Sequence, residues 1–377
     1  MTRIMIIAGE ISGDMHASTL IRAIKESNPD IEWFGIGGPL MRQLGVDTKH
    51  DVNEMAVIGF AEIIKRYGFF KQAFNEMLAL AEEKRPDAVV LVDYPGFNLR
   101  LATKLHARGI KVIYYICPQV WAWHRERIPK MAKIIDHLIT IFPFEAQHFD
   151  GTGLKVTYAG HPLVDEAKIA QNLPAIELPW KKKKRIALLP GSRTQEIERL
   201  LPNMLTAAAI IEKQDPETCF IIATPSDKEI PLVQDIIKNT PSPANFSAVS
   251  TKTREVLRQA DAAIVASGTA TIETALMRCP MVVIYKVNPI TYFLGKILIK
   301  IDNIGMVNIV AEHEICPELI QSAANPPAIA KAILPLIDDT PQRQQMLTEL
   351  DKVITIMGKG GTAKHAAQIV LQELDQA

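Results

Sequence analysis

Short apolar, β-branched runs alternate with longer helix-period segments along almost the whole chain, a rhythm that points to parallel α/β sheets. In the first half "RIMIIAG", "DAVVLVD", "KVIYYI" and "HLITIF" read as buried strands, separated by helical patterns such as "HASTLIRAIKES" and "NLRLATKLHARG". The rhythm breaks at "DEAKIAQNLPAIELPWKKKK", which holds two prolines and four consecutive lysines. It restarts with "RIALLPG", "CFIIAT", "AAIVAS" and "MVVIYK", each followed by a helix pattern. At 377 residues the chain is too long for one ordinary core and about right for two. The expectation is two similar α/β halves facing each other across a cleft, 1–168 and 185–340, with a linker at 169–184. Residues 341–377, broken at "GKGG", are expected to be helices that pack back over the junction and return to the first half. The lysine run reads as a solvated face or, alternatively, as a patch for phosphate or lipid.

Forty-two basic residues balance 42 acidic ones, so no broad basic field is available for nucleic acid. Cys117, Cys219, Cys279 and Cys316 show no CxxC spacing and read as thiols of a reducing compartment, without a metal or disulfide set. The opening "MTRIMIIAGE" runs straight into a strand pattern and does not read as a signal peptide. No apolar stretch reaches the roughly 18–20 residues of a spanning helix. A cytoplasmic protein is expected, one that can still lie on a membrane.

The second half carries two strand-to-helix steps suited to an anion. In "IVASGTATIETALMRCP" a strand ends and Ser267, Gly268 and Thr269 lead directly into a helix. Free N–H groups and the helix dipole attract an anion there, and a glycine lets a phosphate come close to the backbone. Glu273, four residues after Thr269, shares its helix face and could accept hydrogen bonds from ribose hydroxyls. An ordinary N-capped helix with a surface glutamate would look the same. In "RIALLPGSRTQEIERLLP" Gly191 and Ser192 form the turn, and Arg193 offers a guanidinium fork for a diphosphate. The P-loop spacing is missing, which speaks against nucleoside triphosphate hydrolysis.

The first half offers "AGEISGDMHAS", with Glu10, Ser12, Gly13 and Asp14 at a strand end and no GxGxxG spacing for a nicotinamide cofactor. In "VLVDYPGFN" Asp93 stands at another strand end, before a Pro-Gly turn, where it could take a proton from an attacking hydroxyl or simply cap a helix. Trp121, in "CPQVWAWHRERIPKM", suits either a wall for an anionic sugar or core packing. His16, His124 and His161 are dispersed and read as structural or peripheral. The segment 55–74 sets Val57, Ile58, Phe60, Ile64, Phe69 and Phe70 among Lys65, Arg66 and Lys71. Such a helix is either buried on several sides or lies in a bilayer interface, and the expectation here is an interfacial anchor.

Together "AGEISGD", "DYPGFN", "PQVWAW", "AGHPLVD", "LPGSRTQEI", "ASGTATIETAL", "PMVVIYK" and "NIVAEHEICPELIQ" make the chain resemble, over nearly its whole length, the lipid-A-disaccharide synthase family, glycosyltransferase family 19. The resemblance implies a GT-B fold of two Rossmann-like domains. It also implies an inverting transfer of 2,3-diacylglucosamine from UDP-2,3-diacylglucosamine to 2,3-diacylglucosamine 1-phosphate. The products would be the β-1,6 disaccharide 1-phosphate and UDP, with no metal or other cofactor, at the cytoplasmic face of a Gram-negative inner membrane; a homodimer is compatible with it. By motif, Arg193, Ser267, Gly268, Thr269 and Glu273 would hold UDP, Asp93 would be the base, and Asn308 and Gln321 would lie near the donor. Three places depart from the family pattern: Met306-Val307 stand for Leu-Pro, Glu312 for Gly, and Gly96 often for Asp.

Two rivals share parts of this pattern. One is another GT-B enzyme, a glucosaminyltransferase or a UDP-sugar 2-epimerase; the former should show GGTGGH-like loops, which this sequence lacks. The other is a membrane-docking nucleotide sensor without catalysis.

Overall fold

A computed structural model of the chain describes residues 1–55, 66–122, 124–288, 292 and 303–375. The chain divides into two compact units: Met1–Pro162 joined by the segment from Lys359 onward, and Leu163–Gly358. The first is built on seven parallel strands, β1 (Arg3–Ala8), β2 (Glu32–Gly37), β3 (Asp47–Asp51), β4 (Ala88–Val92), β5 (Lys111–Tyr115), β6 (His137–Thr140) and β7 (Lys155–Tyr158). Their order in the sheet is β3-β2-β1-β4-β5-β6-β7. The second unit holds β8 (Lys184–Leu189), β9 (Thr218–Thr224), β10 (Phe246–Ser250), β11 (Ala262–Ala266), β12 (Met281–Tyr285) and β13 (Glu318–Ile320). Those six are also parallel, in the order β10-β9-β8-β11-β12-β13.

Both sheets start in the middle, wind to one edge, then jump back and wind to the other. The reversal falls between β1 and β4 in one unit and between β8 and β11 in the other. Open α/β sheets hold ligands beyond the carboxyl ends of the strands at such a reversal, where the flanking loops diverge. Register makes the point local. Ala8 pairs with Val92, so the turn at Gly9-Glu10 starts beside Asp93; Leu189 pairs with Val265, so Gly191 starts near Ser267. The central strands are buried on both faces, and this is why they read as continuous apolar runs rather than alternating ones.

Two boundaries differ from the sequence expectation. Residues 341–377 do not return together: the helix Pro341–Ile356 buries Met346, Leu347, Leu350 and Val353 within the second unit. Only the helix Thr362–Asp375 joins the first, packing on the helix Ile11–Lys25. Its Glu373 carboxylate meets Lys155 Nζ at 2.6 Å and His137 Nδ1 at 3.0 Å. The stretch 169–184 is not a loose tether either. Arg258 Nη1 donates to the carbonyls of Ala170 and Leu173 at 2.9 and 2.8 Å, and Lys184 begins β8 and pairs with Asp215 and Asp338 at 2.7 Å each.

Of the expected membrane contacts, Val57, Ile58, Phe60, Ile64 and Lys65 lie outside the described residues. Phe69 and Phe70 are half-buried against the core of the first unit, beneath the Arg66 guanidinium at 4.7 and 5.9 Å from their ring centroids. Those rings are therefore in good part structural, whereas Lys71 is exposed. Among the described residues no helix is long and apolar enough to cross a membrane.

Candidate active site

The crevice of the first sheet is organised by strain. Asp93 and Tyr94 follow β4 with φ of 46° and 50°, two consecutive non-glycine residues in the left-handed region. Such conformations cost of order 1–3 kcal/mol each and persist only where neighbours over-determine them. Here they do. Asp93 N–H donates to the Tyr115 carbonyl at 3.0 Å, while the Asp93 carbonyl accepts from Tyr114 Oη at 2.6 Å and Asn98 Nδ2 at 2.8 Å. Tyr94 Oη donates to the Met55 carbonyl at 2.9 Å. Burial pushes the Asp93 carboxyl up to about 6; the Glu10 charge adds to the rise, and a hydrogen bond from the Tyr94 amide opposes it. At neutral pH it is largely ionised yet poorly solvated, a carboxylate suited to accept a proton.

Not every residue expected in this crevice serves it. Asp14 is buried, and its carboxylate accepts from the amides of Gly38 (2.8 Å), Leu40 (3.0 Å) and Met41 (3.1 Å), capping the helix Pro39–Gln43. Three charge-assisted bonds consume it, so it is a fold residue and no cleft wall. Trp121 is buried too, edge-on to Phe144 at 4.9 Å, with Nε1 donating to Glu145 Oε1 at 3.3 Å. Glu10 and Ser12 are exposed, and Gly13 lies buried against Ala8. The sequence reading missed Glu145: burial pushes its carboxyl up to about 8, against hydrogen bonds from Phe142 N–H, Ile141 N–H and Trp121. Its signal was a lone acid just past an apolar strand, in "HLITIFPFE". His16 and His161 are driven down by burial to about 4 and about 3, which leaves both neutral at pH 7.

The crevice of the second sheet uses glycine where the first uses strain. Gly268, at φ 142°, is the N-cap of the helix Thr269–Leu276; no side chain caps that end, and a Cβ there would meet nothing within 4 Å. Ser267 Oγ donates to the Ile304 carbonyl at 2.8 Å, and Thr269 is exposed. Across the reversal, Gly191 (φ 115°) and Ser192 lead to Arg193, the N-cap of the helix Thr194–Gln214. Glu196 accepts from Ser192 N–H at 3.1 Å and Arg193 N–H at 3.3 Å, and its other oxygen meets Arg193 Nη1 at 2.7 Å. A carboxylate thus holds donors that would suit a phosphate. Arg193 is 74% exposed, where an ion pair contributes little, so an incoming anion gives up little by replacing it.

Glu273 lies 2.8 Å from Arg254 Nε, and Arg254 also pairs with Glu166. Burial raises the Glu273 pKa, Arg254 opposes that, and Glu166 adds to it. Neither Arg254 nor Glu166 was singled out from sequence, since they meet Glu273 only in the fold. Asn308 is wholly buried: Nδ2 donates to Cys316 O and Glu318 Oε1 at 2.8 Å each, and Oδ1 accepts from Ile315 and Cys316 N–H at 2.9 and 3.0 Å. With its hydrogen-bonding groups thus engaged, it ties the helix Met306–Ala311 to the segment that follows it instead of reaching a ligand. Gln321, at φ 54°, accepts from Val287 N–H at 3.3 Å, and its buried Nε2 has no hydrogen-bond partner among the described residues.

The family model described as Lipid-A-disaccharide synthetase matches residues 4–372. The chain belongs to this family. Relatives named lipid-A-disaccharide synthase include those of Nitrosococcus oceani, 40% identical over 95% of this chain and 92% of that protein, and Trichlorobacter lovleyi, 36% identical over 100% and 98%. Membership of the lipid-A-disaccharide synthetase family makes the chain a glycosyltransferase acting in lipid A disaccharide synthesis. Solved structures show the same GT-B fold at low identity. A UDP-N-acetylglucosamine 2-epimerase from Listeria monocytogenes, itself described as putative, gives a TM-score of 0.68 at 13% identity, covering 99% of this chain and 96% of that one. The calicheamicin glycosyltransferase gives 0.61 at 15%, covering 100% and 99%. One departure from the family pattern acquires a physical meaning: Glu312 has φ 61°, a conformation glycine adopts without strain.

Proposed function

We propose that this synthetase-family chain transfers 2,3-diacylglucosamine from UDP-2,3-diacylglucosamine to 2,3-diacylglucosamine 1-phosphate, with inversion at the anomeric carbon. The observation that carries the reading is Asp93, a strained, poorly solvated carboxylate at the sheet reversal with its pKa raised to about 6. In this reading the acceptor's O6 attacks C1 of the donor as its proton passes to the Asp93 carboxylate, and the C1–O bond to UDP breaks. A single displacement gives the β-1,6 disaccharide 1-phosphate and UDP. The Gly191–Arg193 and Ser267–Thr269 steps take the diphosphate, with Arg193 and the helix N-termini meeting the charge that builds on the leaving group. Glu273 accepts from the ribose hydroxyls, and Gln321 lies near the donor. Glu10 and Ser12 line the acceptor side. The acyl chains of both substrates bring the enzyme to the cytoplasmic face of the inner membrane, with Arg66 and Lys71 toward its headgroups.

The test is incubation with the two acylated substrates, reading product mass and the anomeric coupling by NMR. Stoichiometric UDP and a β-1,6 disaccharide 1-phosphate are expected. An α-linked product would refute direct displacement, and epimerised UDP-sugar without transfer would refute the reading as a whole.

A further inference from the structure

Beside the Asp93 turn, within the first unit, lies a cavity of about 180 Å³, lined in part by the "DYPGFN" and "CPQVWAWHRERIPKM" stretches. Its floor is apolar, made by Leu99, Met131 and Ile134, and three cations, Arg100, Arg127 and Lys130, stand around it. Among the described residues none of the three has an acidic partner. Gly96, three residues after Asp93, also lines it, and a Cβ there would meet nothing within 4 Å. The cavity is smaller than the roughly 300–1,000 Å³ that a drug-sized ligand fills, so its size suits a small anionic group better than a nucleotide. Three unpaired cations over an apolar floor suit a phosphomonoester: arginine forks two phosphate oxygens, and lysine adds a point charge.

We propose that Arg100, Arg127 and Lys130 bind the 1-phosphate of the acylated acceptor sugar. This rests on the transfer reading above and gives that acceptor its anchor. The reacting hydroxyl is at C6 and the phosphate at C1, so the anion site must lie beside the base and not at it. The cavity has that placement. Its wall begins at Pro95, two residues after Asp93, and Arg127 acts electrostatically on Tyr114, whose hydroxyl donates to the Asp93 carbonyl at 2.6 Å.

The experiment compares wild type with Arg127→Gln/Lys130→Gln and, separately, with the exposed Arg100→Gln, on acceptor with and without its 1-phosphate. UDP affinity serves as the check on folding. Wild type should prefer the phosphorylated acceptor strongly in kcat/KM, and the double variant should lose at least tenfold of that preference, the scale of one charge-assisted bond. An unchanged preference overturns the proposal. If wild type makes no disaccharide from either acceptor, the transfer reading fails, and calorimetry with glucosamine 1-phosphate still decides the site. Binding by wild type that the double variant loses upholds the cavity; no binding by either overturns it. Sedimentation with phosphatidylglycerol vesicles separates the other source of phosphate. Loss of vesicle binding with acceptor preference intact would assign these cations to the membrane and overturn the proposal.

Discussion

The two crevices share a topology and differ in how they treat the residue at the reversal. In the second sheet the left-handed positions are glycines, Gly191 and Gly268, and the space above Gly268 is open. In the first they are Asp93, held by Tyr114, Tyr115 and Asn98, and Tyr94, tied through its hydroxyl to the Met55 carbonyl. A glycine step exposes backbone N–H groups and suits an anion, because amide donors need close approach. A strained acid aims one side chain and raises its pKa. In the proposed mechanism the chemistry divides along the same line, with one crevice holding the nucleotide and the other taking the proton.

The largest effect is expected of Asp93→Asn. The amide keeps size and hydrogen bonding but accepts no proton, so turnover should fall on the order of 10²–10⁴-fold in a transfer assay. The same change should raise the melting temperature at pH 7. A carboxyl with a folded pKa of about 6, above its ordinary 3.8, disfavours the fold increasingly as pH climbs through that window. Removing it returns on the order of 2–3 kcal/mol at most. A variant that keeps about a tenth of the activity would make Asp93 a mere cap.

On the holding side, Arg193→Ala should weaken UDP roughly ten- to a hundredfold, and Glu273→Gln less, since an amide oxygen still accepts one ribose bond. Gly268→Ala sets a Cβ at φ 142° and should destabilise by about 1 kcal/mol or more while weakening UDP. Calorimetry on all three gives the ranking; equal losses would show a collapsed site rather than separate contacts.

Glu145 offers a smaller, global readout. Its folded pKa of about 8 lies above the ordinary 4.5, so the fold binds the proton more tightly than the unfolded chain. The stability it lends is complete below about 4.5 and gone above about 8, and melting temperature should decline across that interval. Glu145→Gln should flatten the decline; an unaltered slope would show that Glu145 titrates normally. The smallest effect belongs to Glu10. Its charge helps raise Asp93, so Glu10→Gln should move the acidic limb of kcat/KM below about 6 by less than one unit. An upward move would contradict that coupling.

Much of this division is legible in the sequence. The strand-ending runs placed Asp93, Gly191–Arg193 and Ser267–Thr269 at carboxyl ends of strands, because buried parallel strands announce themselves as apolar blocks. Edge strands do not: β3 reads "DTKHD" and β10 "FSAVS", half-buried and polar, and neither stands out. Asp14, Trp121 and Asn308 illustrate the other limit. Their chemistry is that of a site, but amides and a carboxylate distant in sequence consume it, and only the fold brings those partners in. Arg254 stayed unmarked for the same reason, whereas Glu196 meets Ser192 and Arg193 within one helical turn.

In the proposed mechanism the nucleotide belongs to the second crevice and the proton to the first. UDP titrated by calorimetry into wild type, Asp93→Asn and Arg193→Ala under one set of conditions tests this division. Wild-type affinity is expected for Asp93→Asn, within about twofold, beside a ten- to hundredfold loss for Arg193→Ala. Comparable losses in both variants, or none in Arg193→Ala, would contradict it.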